Sequence, residues 1–169
     1  MIRFLHRQQR HATCAVACVR TVLHRQFGLR VSEAALVALG TTPEYPIVKT
    51  GSYTSHMRQM VRSVSSAYNS GAAWGLFVRT RGTLAMLRRA LARGRWPICQ
   101  VFVREVGEFH AVVIMDITAE SVLVFDPDPT IEPNPRWYSR ADFVAWWTAP
   151  KSGDTWYAVL SGGVLKEHQ

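Results

Sequence analysis

Four residues stand in the chain in an order that can support acyl chemistry: Gln8, Cys14, His110 and Asp126. Cys14 falls on the predicted first turn of a helix. Unpaired amides and the helix dipole favour negative charge there and lower a thiol's pKa. The thiolate is the reactive species, so Cys14 is the candidate nucleophile. A cysteine taken alone is more often a buried small hydrophobe. Cys18, one turn further among apolar neighbours, and Cys99, inside an apolar run, fit that role. His110 lies near the start of a run, FHAVVIMDI, whose only other polar residue is Asp116. A histidine so placed is usually a hydrogen-bonded core or rim residue; its functional reading is a general base for the thiol. Asp126 ends the next apolar run, just before Pro127. An antiparallel neighbour can bring it beside His110, to orient the ring and stabilise the imidazolium. Asp128 competes for that role and Asp116 is a third choice, because hairpin register is not legible in sequence. Gln8 precedes Cys14 by six residues. Its side-chain amide, with a backbone N–H, can form an oxyanion hole, and Gln9 is the alternative. Each residue alone has an ordinary structural explanation; the joint order Gln–Cys–His–Asp is what suggests a site.

Several elements must position these groups. Apolar spacing predicts a first helix over Thr13–Phe27, capped by Thr13 and stopped by Gly28. A short helix follows over Ser32–Leu39, and Thr41–Ser52 reads as a loop. Further helices are expected over Thr54–Val64, Thr83–Arg93 and Arg140–Trp147, the last capped by Ser139. Strands are expected over Pro97–Arg104, Phe109–Ile117, Ser121–Phe125 and Thr155–Leu160. The Phe109–Ile117 run is apolar on both alternating faces and is expected to be central. Helices first, then an antiparallel sheet with one late helix, argue for an α+β fold. Trp137, Trp146, Trp147 and Trp156 are expected in the core.

Composition sets the remaining bounds. The 169 residues are 48% hydrophobic and 19% charged, which suits one globular domain, residues 1–169, with a core spanning about 8–161. No apolar run is long enough to cross a bilayer. The basic start lacks a signal-peptide pattern, so a cytoplasmic protein is expected. The net charge is +8, and seventeen of the twenty basic residues are arginines. They group locally at Arg79/Arg81 and at Arg88/Arg89/Arg93/Arg95. No nucleic-acid-reading motif accompanies them, so ordinary solvated charge is expected rather than nucleic-acid binding. Three cysteines give neither a disulfide framework nor a zinc site.

At this point the sequence resembles the papain-like cysteine peptidases that process double-glycine leader peptides, found fused to bacteriocin transporters or as stand-alone domains. The first motif of that family, a glutamine followed by an Asp-Cys-Gly helix start and a Phe/Tyr-Gly stop, is similar to QQRHATCAVACVRTVLHRQFG, Gln8–Gly28. The second and third are similar to HAVVIMDI and VLVFDP, and a late one to DFVAWWT. The resemblance implies a papain-like fold and a cysteine peptidase with Cys14 as nucleophile, His110 as base, Asp126 as orienting carboxylate and Gln8 as oxyanion donor. It implies a peptide or protein substrate, with a Gly-Gly leader as the family's class, and no cofactor. Cys18 falls on a non-catalytic cysteine position. Thr13-Cys14-Ala15 departs from Asp-Cys-Gly, which puts the substrate in question more than the chemistry, and coupled secretion is not implied. The same fold also serves deamidation, acyl transfer and non-catalytic peptide binding. The chain's own Leu160-Ser161-Gly162-Gly163 raises self-cleavage after Gly163, against a plain chain end.

Overall fold

The computed structural model describes residues 4–52, 54–68 and 74–162. A 3-10 turn at His11–Thr13 leads into α1 (Cys14–Phe27), followed by α2 (Glu33–Gly40), the single turn α3 (Ile47–Thr50) and α4 (Thr54–Ala67). Then come β1 (Gly75–Arg79), α5 (Leu84–Leu91), β2 (Ile98–Val103), β3 (Glu108–Ile117), β4 (Ser121–Phe125), β5 (Arg136–Ser139), α6 (Arg140–Trp147) and β6 (Tyr157–Ser161). Local chemistry sets many of these limits. Ser32, Thr83 and Ser139 accept the amides of Ala35, Met86 and Asp142 with their hydroxyls, satisfying first-turn donors. Gly28 adopts the left-handed conformation (φ +67°) that lets its N–H return to the carbonyl of His24 and close α1.

The six strands form one antiparallel sheet in the order β1-β6-β2-β3-β4-β5. Strand alternation sends neighbouring residues to opposite faces. Ile98, Ala111, Val113, Ala158 and Leu160 face one core layer, with α1, α2 and α4. Cys99, Val101, Val112, Ile114, Tyr157 and Val159 face another, with α5 and α6. β3 is central, as its two apolar faces suggested. One feature of its register matters for the site. β3 pairs with β2 from Glu108 to Val113, but with β4 only from Val113 onward. Residues 108–112 therefore present an edge with no β4 partner.

The structure corrects several sequence expectations. β1 and β5 were not anticipated: each is a short run whose alternation is masked by neighbouring glycines and alanines or by prolines. β1 also places a strand before α5, so the helices do not all precede the sheet. The expected loop Thr41–Ser52 contains α3. Thr13 does not cap α1; its hydroxyl donates instead to the Glu33 carboxylate at 2.7 Å, with the Arg10 carbonyl 2.8 Å from the same oxygen. Among the tryptophans, Trp147 is buried and donates its indole N–H to the Trp156 carbonyl at 2.7 Å. Trp146 and Trp156 are only partly buried, and Trp137 is 49% exposed on the short outer strand β5. Trp74, not singled out from sequence, is buried in a stack on Phe27 with ring centroids 4.3 Å apart. Gly163, the proposed self-cleavage position, lies outside the described residues. Among the described residues no helix is long and apolar enough to cross a membrane.

Gly82 explains how Trp147 and Tyr157 close the second layer. A Cβ there would stand 2.6–2.7 Å from the Trp147 ring and 2.7 Å from the Tyr157 ring, inside van der Waals contact. Gly82→Ala should therefore destabilise the fold by about 1–3 kcal/mol, the usual penalty for overpacking a rigid core, read as a lowered urea midpoint. An unchanged midpoint would show that the two rings can yield.

Candidate active site

The unpaired edge of β3 is where α1 docks. Within one extended residue the N–H and C=O point to the same side, and at Ala111 both are taken by the helix. Its carbonyl accepts the Cys18 thiol at 3.3 Å, and its amide bonds the Cys14 sulfur. Two cysteines four residues apart share one face of a helix, so a single strand residue fixes both. Cys18 is fully buried and its thiol is pushed well up by that burial, which keeps it protonated. Cys99 is likewise buried and pushed up. Cys14, at the helix end, is only partly buried.

The residue before Ala111 is His110, and its imidazole is the strongest influence lowering the Cys14 thiol. His110 Nε2 donates to Asp126 Oδ1 at 2.6 Å, since an ionised carboxylate can only accept. That leaves Nδ1 for the thiol. The histidine and aspartate side chains are 16% and 7% exposed, so the line runs from a part-open sulfur to a shielded carboxylate. Burial alone would raise the Cys14 pKa. The hydrogen bond and charge of His110, with the amides of Ala111 and Ala15, outweigh it and hold the thiol below its ordinary value. Burial would likewise lower His110, yet the hydrogen bonds to Asp126 and Cys14 and their charges raise it well above an ordinary histidine. The two shifts describe one event: the pair favours thiolate and imidazolium.

The other sequence candidates separate cleanly. Asp128 does not reach the ring; its carboxylate accepts the amide and hydroxyl of Thr130 at 2.8 and 2.7 Å, and its own N–H supports Asp126 Oδ1 at 2.9 Å. Asp116 bonds the neighbouring Ile117 amide at 2.7 Å near the other end of β3. Gln8 lies between the Asp126 loop and the entry to α1. Its N–H donates to the Pro127 carbonyl at 2.8 Å and its side-chain amide to the His11 carbonyl at 3.3 Å. An amide nitrogen carries two hydrogens, so one donor remains for a ligand. The Gln8 side-chain oxygen is buried without a partner. Gln9 is exposed and takes part through its backbone N–H.

Three residues that sequence reasoning missed hold these groups in place. The Arg7 guanidinium donates to the carbonyls of Asp126, Asp128 and Ile131 and to the Glu132 carboxylate at 2.6 Å, clasping the loop after β4. Asn134 braces the same loop by bonding both the N–H and the carbonyl of Asp126. Glu33, 3% exposed, accepts the Gln9 amide on both oxygens, at 3.1 and 3.0 Å, and the Thr13 hydroxyl on one. Gln8 is thus flanked by a residue tied to the aspartate loop and one tied to a buried acid. No short-range pattern marks Arg7 or Glu33, since both act across 20 or more residues of chain, and Asn134 reaches only backbone groups, eight residues back.

By sequence the chain matches no family model and no curated protein. By structure it is similar to the peptidase domain of Streptococcus ComA, a bi-functional ABC transporter involved in a quorum sensing pathway. The TM-score is 0.66 at 14% identity, over 93% of this chain and 96% of that one. It is also similar to the peptidase domain of Streptococcus mutans ComA, with TM-score 0.57 at 11% identity over 94% and 98% of the two chains. A third likeness is to a Bacillus anthracis protein named as a C39-like peptidase, with TM-score 0.66 at 14% identity and 92% of each chain covered. The neighbours are C39 peptidase domains, and the fold they share with this chain is papain-like and α+β.

The electrostatics predict how Cys14 should react. Iodoacetamide should alkylate it at pH 7 faster than an ordinary cysteine, because its lowered pKa enriches the thiolate. In His110→Ala burial is opposed only by the Ala111 and Ala15 amides, the thiol pKa rises, and the rate at pH 7 should fall roughly tenfold or more. Mass spectrometry of the alkylated peptide measures both, and equal rates would remove the pairing. Glu33→Ala should leave the alkylation rate within about twofold while lowering the melting temperature, since it strips a buried acceptor from two donors.

Proposed function

We propose that the protein is a cysteine peptidase in which Cys14, His110 and Asp126 form the triad and Gln8 supplies the oxyanion donor. The observations that carry the proposal are the 2.6 Å bond from the His110 ring to Asp126 and the lowering of the Cys14 thiol by that same ring, on a fold shared with peptidase domains. The Cys14 thiolate attacks the scissile carbonyl carbon, and the carbon–sulfur bond forms as the carbonyl electrons move to oxygen. Gln8 Nε2 and the Cys14 backbone N–H donate to that oxyanion. Imidazolium His110 then gives its proton to the leaving amine as the carbon–nitrogen bond breaks. Water, deprotonated by His110, attacks the thioester; the acid leaves and Cys14 is regenerated as thiolate against the imidazolium. Asp126 stays ionised throughout and holds the ring.

For the substrate we infer a peptide cut after a Gly-Gly pair, on the resemblance of the Gln8–Gly28, His110 and Asp126 segments to double-glycine leader peptidases. A synthetic leader peptide ending in Gly-Gly and extended by a short cargo should be split after the second glycine, as read by mass spectrometry. Cys14→Ala should lose roughly a thousandfold or more in rate, in keeping with removal of a nucleophile, and keep its melting temperature. Cleavage that survives in Cys14→Ala would end the triad assignment. An uncut peptide gaining one mass unit at a side-chain amide would instead identify deamidation through the same acyl-enzyme.

The pH profile tests the third member. The ion pair exists above the lowered thiol pKa and below the raised imidazole pKa, so kcat/KM should be bell-shaped between them. Asp126 is one of the groups that raise His110. Asp126→Asn should therefore move the alkaline limb to lower pH as well as reduce the maximum. A reduced maximum with both limbs in place would mean that Asp126 does not act on the imidazolium.

A further inference from the structure

The arginine groups noted in sequence have no part in the chemistry above, and the fold brings four of them, Arg79, Arg89, Arg93 and Arg95, together on the opposite side of the sheet. A cavity of about 520 Å³ lies between β1, β6 and the outer side of α5. Its floor follows from register. Phe77 pairs with Val159, Arg79 with Tyr157 and Gly75 with Ser161, and all of these odd-numbered positions face the α5 side. Leu76 and Leu160, on the even positions, face the α1 layer that holds Cys14. The wall comes from α5 and the turn after it. Leu84, Leu87 and Leu91 pack inward, which turns Met86, Arg89 and Ala90 toward the cavity. Arg93 and Arg95 complete the rim, the turn being drawn in by bonds from both their amides to the Ala90 carbonyl.

Four guanidinium groups, Arg79, Arg89, Arg93 and Arg95, thus converge on one apolar-floored space from two parts of the chain. None forms an ion pair with a described acidic residue. Arg89 and Arg93 are spaced so as to repel one another. The C-terminal end of α5 offsets part of that repulsion, but Arg79 comes from β1 and gains nothing from the helix. Its guanidinium lies 4.5 Å from the centroid of the half-exposed Phe77 ring, giving a planar step at the cavity mouth. The volume is that of an ordinary small-ligand site, in which an apolar surface buries the body of the ligand and a few polar groups fix its charge. Arginines suit phosphate oxygens through their forked donors, and an aromatic–guanidinium step suits a flat ring.

We propose that this cavity binds a nucleoside polyphosphate, the base against Phe77 and Arg79 and the phosphates among Arg89, Arg93 and Arg95. The site is separate from Cys14, so the proposal does not depend on the peptidase reading.

Titration calorimetry of the full chain with ATP, tripolyphosphate and adenosine tests it. ATP should bind, with affinity falling as salt rises, and tripolyphosphate and adenosine should each bind at least roughly tenfold more weakly. Arg89→Glu with Arg93→Glu should weaken ATP by roughly tenfold or more. Arg58→Glu with Arg62→Glu, the same charge change on exposed positions of α4, should leave it within about twofold. Phe77→Ala should weaken ATP and leave tripolyphosphate unchanged. Each variant's melting temperature and Cys14 alkylation rate should match wild type, which separates a lost site from a lost fold. No ATP binding by wild type, equal losses in the two charge variants, or tripolyphosphate binding as tightly as ATP would each overturn the proposal; the last two would reduce the patch to unspecific positive charge.

Discussion

Everything at the candidate site depends on one docking contact, that of the first two turns of α1 against the unpaired edge of β3. A strand edge with free amides and carbonyls must find partners or lose stability. Here β4 stops pairing at Val113, and the helix supplies sulfur atoms to the gap, Cys14 to the Ala111 amide and Cys18 to its carbonyl. The same contact decides which residue faces the nucleophile, because His110 is the next residue along the strand. Cys18 is thus a structural counterpart to Cys14. It fixes the helix against the sheet while its own thiol, raised by complete burial, stays unreactive.

The contrast between two thiols one helical turn apart shows where reactivity comes from. Cys18 is fully and Cys14 partly withdrawn from water, and burial raises both. Only Cys14 has a basic partner and helix-end amides in reach, and for it their combined effect exceeds the desolvation. His110 in turn needs Asp126, since its own burial would drive it neutral. The ring Nε2 and the Asp128 amide both reach Asp126 Oδ1. Charge is stabilised by a chain of directed bonds that starts at the helix end and finishes in a loop clasped by Arg7 and Asn134.

The sequence made legible those features that are local or that repeat. The helix ends were readable from Ser32, Gly28 and Ser139 because capping acts within a few residues. The central strand was readable because both its faces are apolar. The order Gln8, Cys14, His110, Asp126 was readable as a pattern of residue types, but the choice between Asp126 and Asp128 was not. That choice rests on which carboxylate the turn itself consumes, and Thr130 takes Asp128. Arg7 and Glu33 were illegible for a related reason. Most of their partners are backbone groups, whose identity no residue letter announces, and their side-chain partners Glu132 and Thr13 lie 20 or more residues away. The two short outer strands β1 and β5 carry too few alternating residues to signal a period.

The departure of Thr13-Cys14-Ala15 from the Asp-Cys-Gly start of the resembling family has a physical account in Glu33. A second carboxylate at position 13 would face the buried Glu33 carboxylate at hydrogen-bond range, and like charges that close are costly away from water. Threonine at this position instead donates its hydroxyl to Glu33. The same carboxylate accepts the Gln9 amide, so the acid that makes an aspartate unsuitable at position 13 also ties down the segment carrying Gln8. Glycine is not required at position 15 either. Ala15 lies inside regular helix and its methyl group is buried in the core that α1 shares with the sheet. The altered motif is therefore consistent with the same presentation of Cys14, reached by moving the acidic group from the helix start to the first turn of α2.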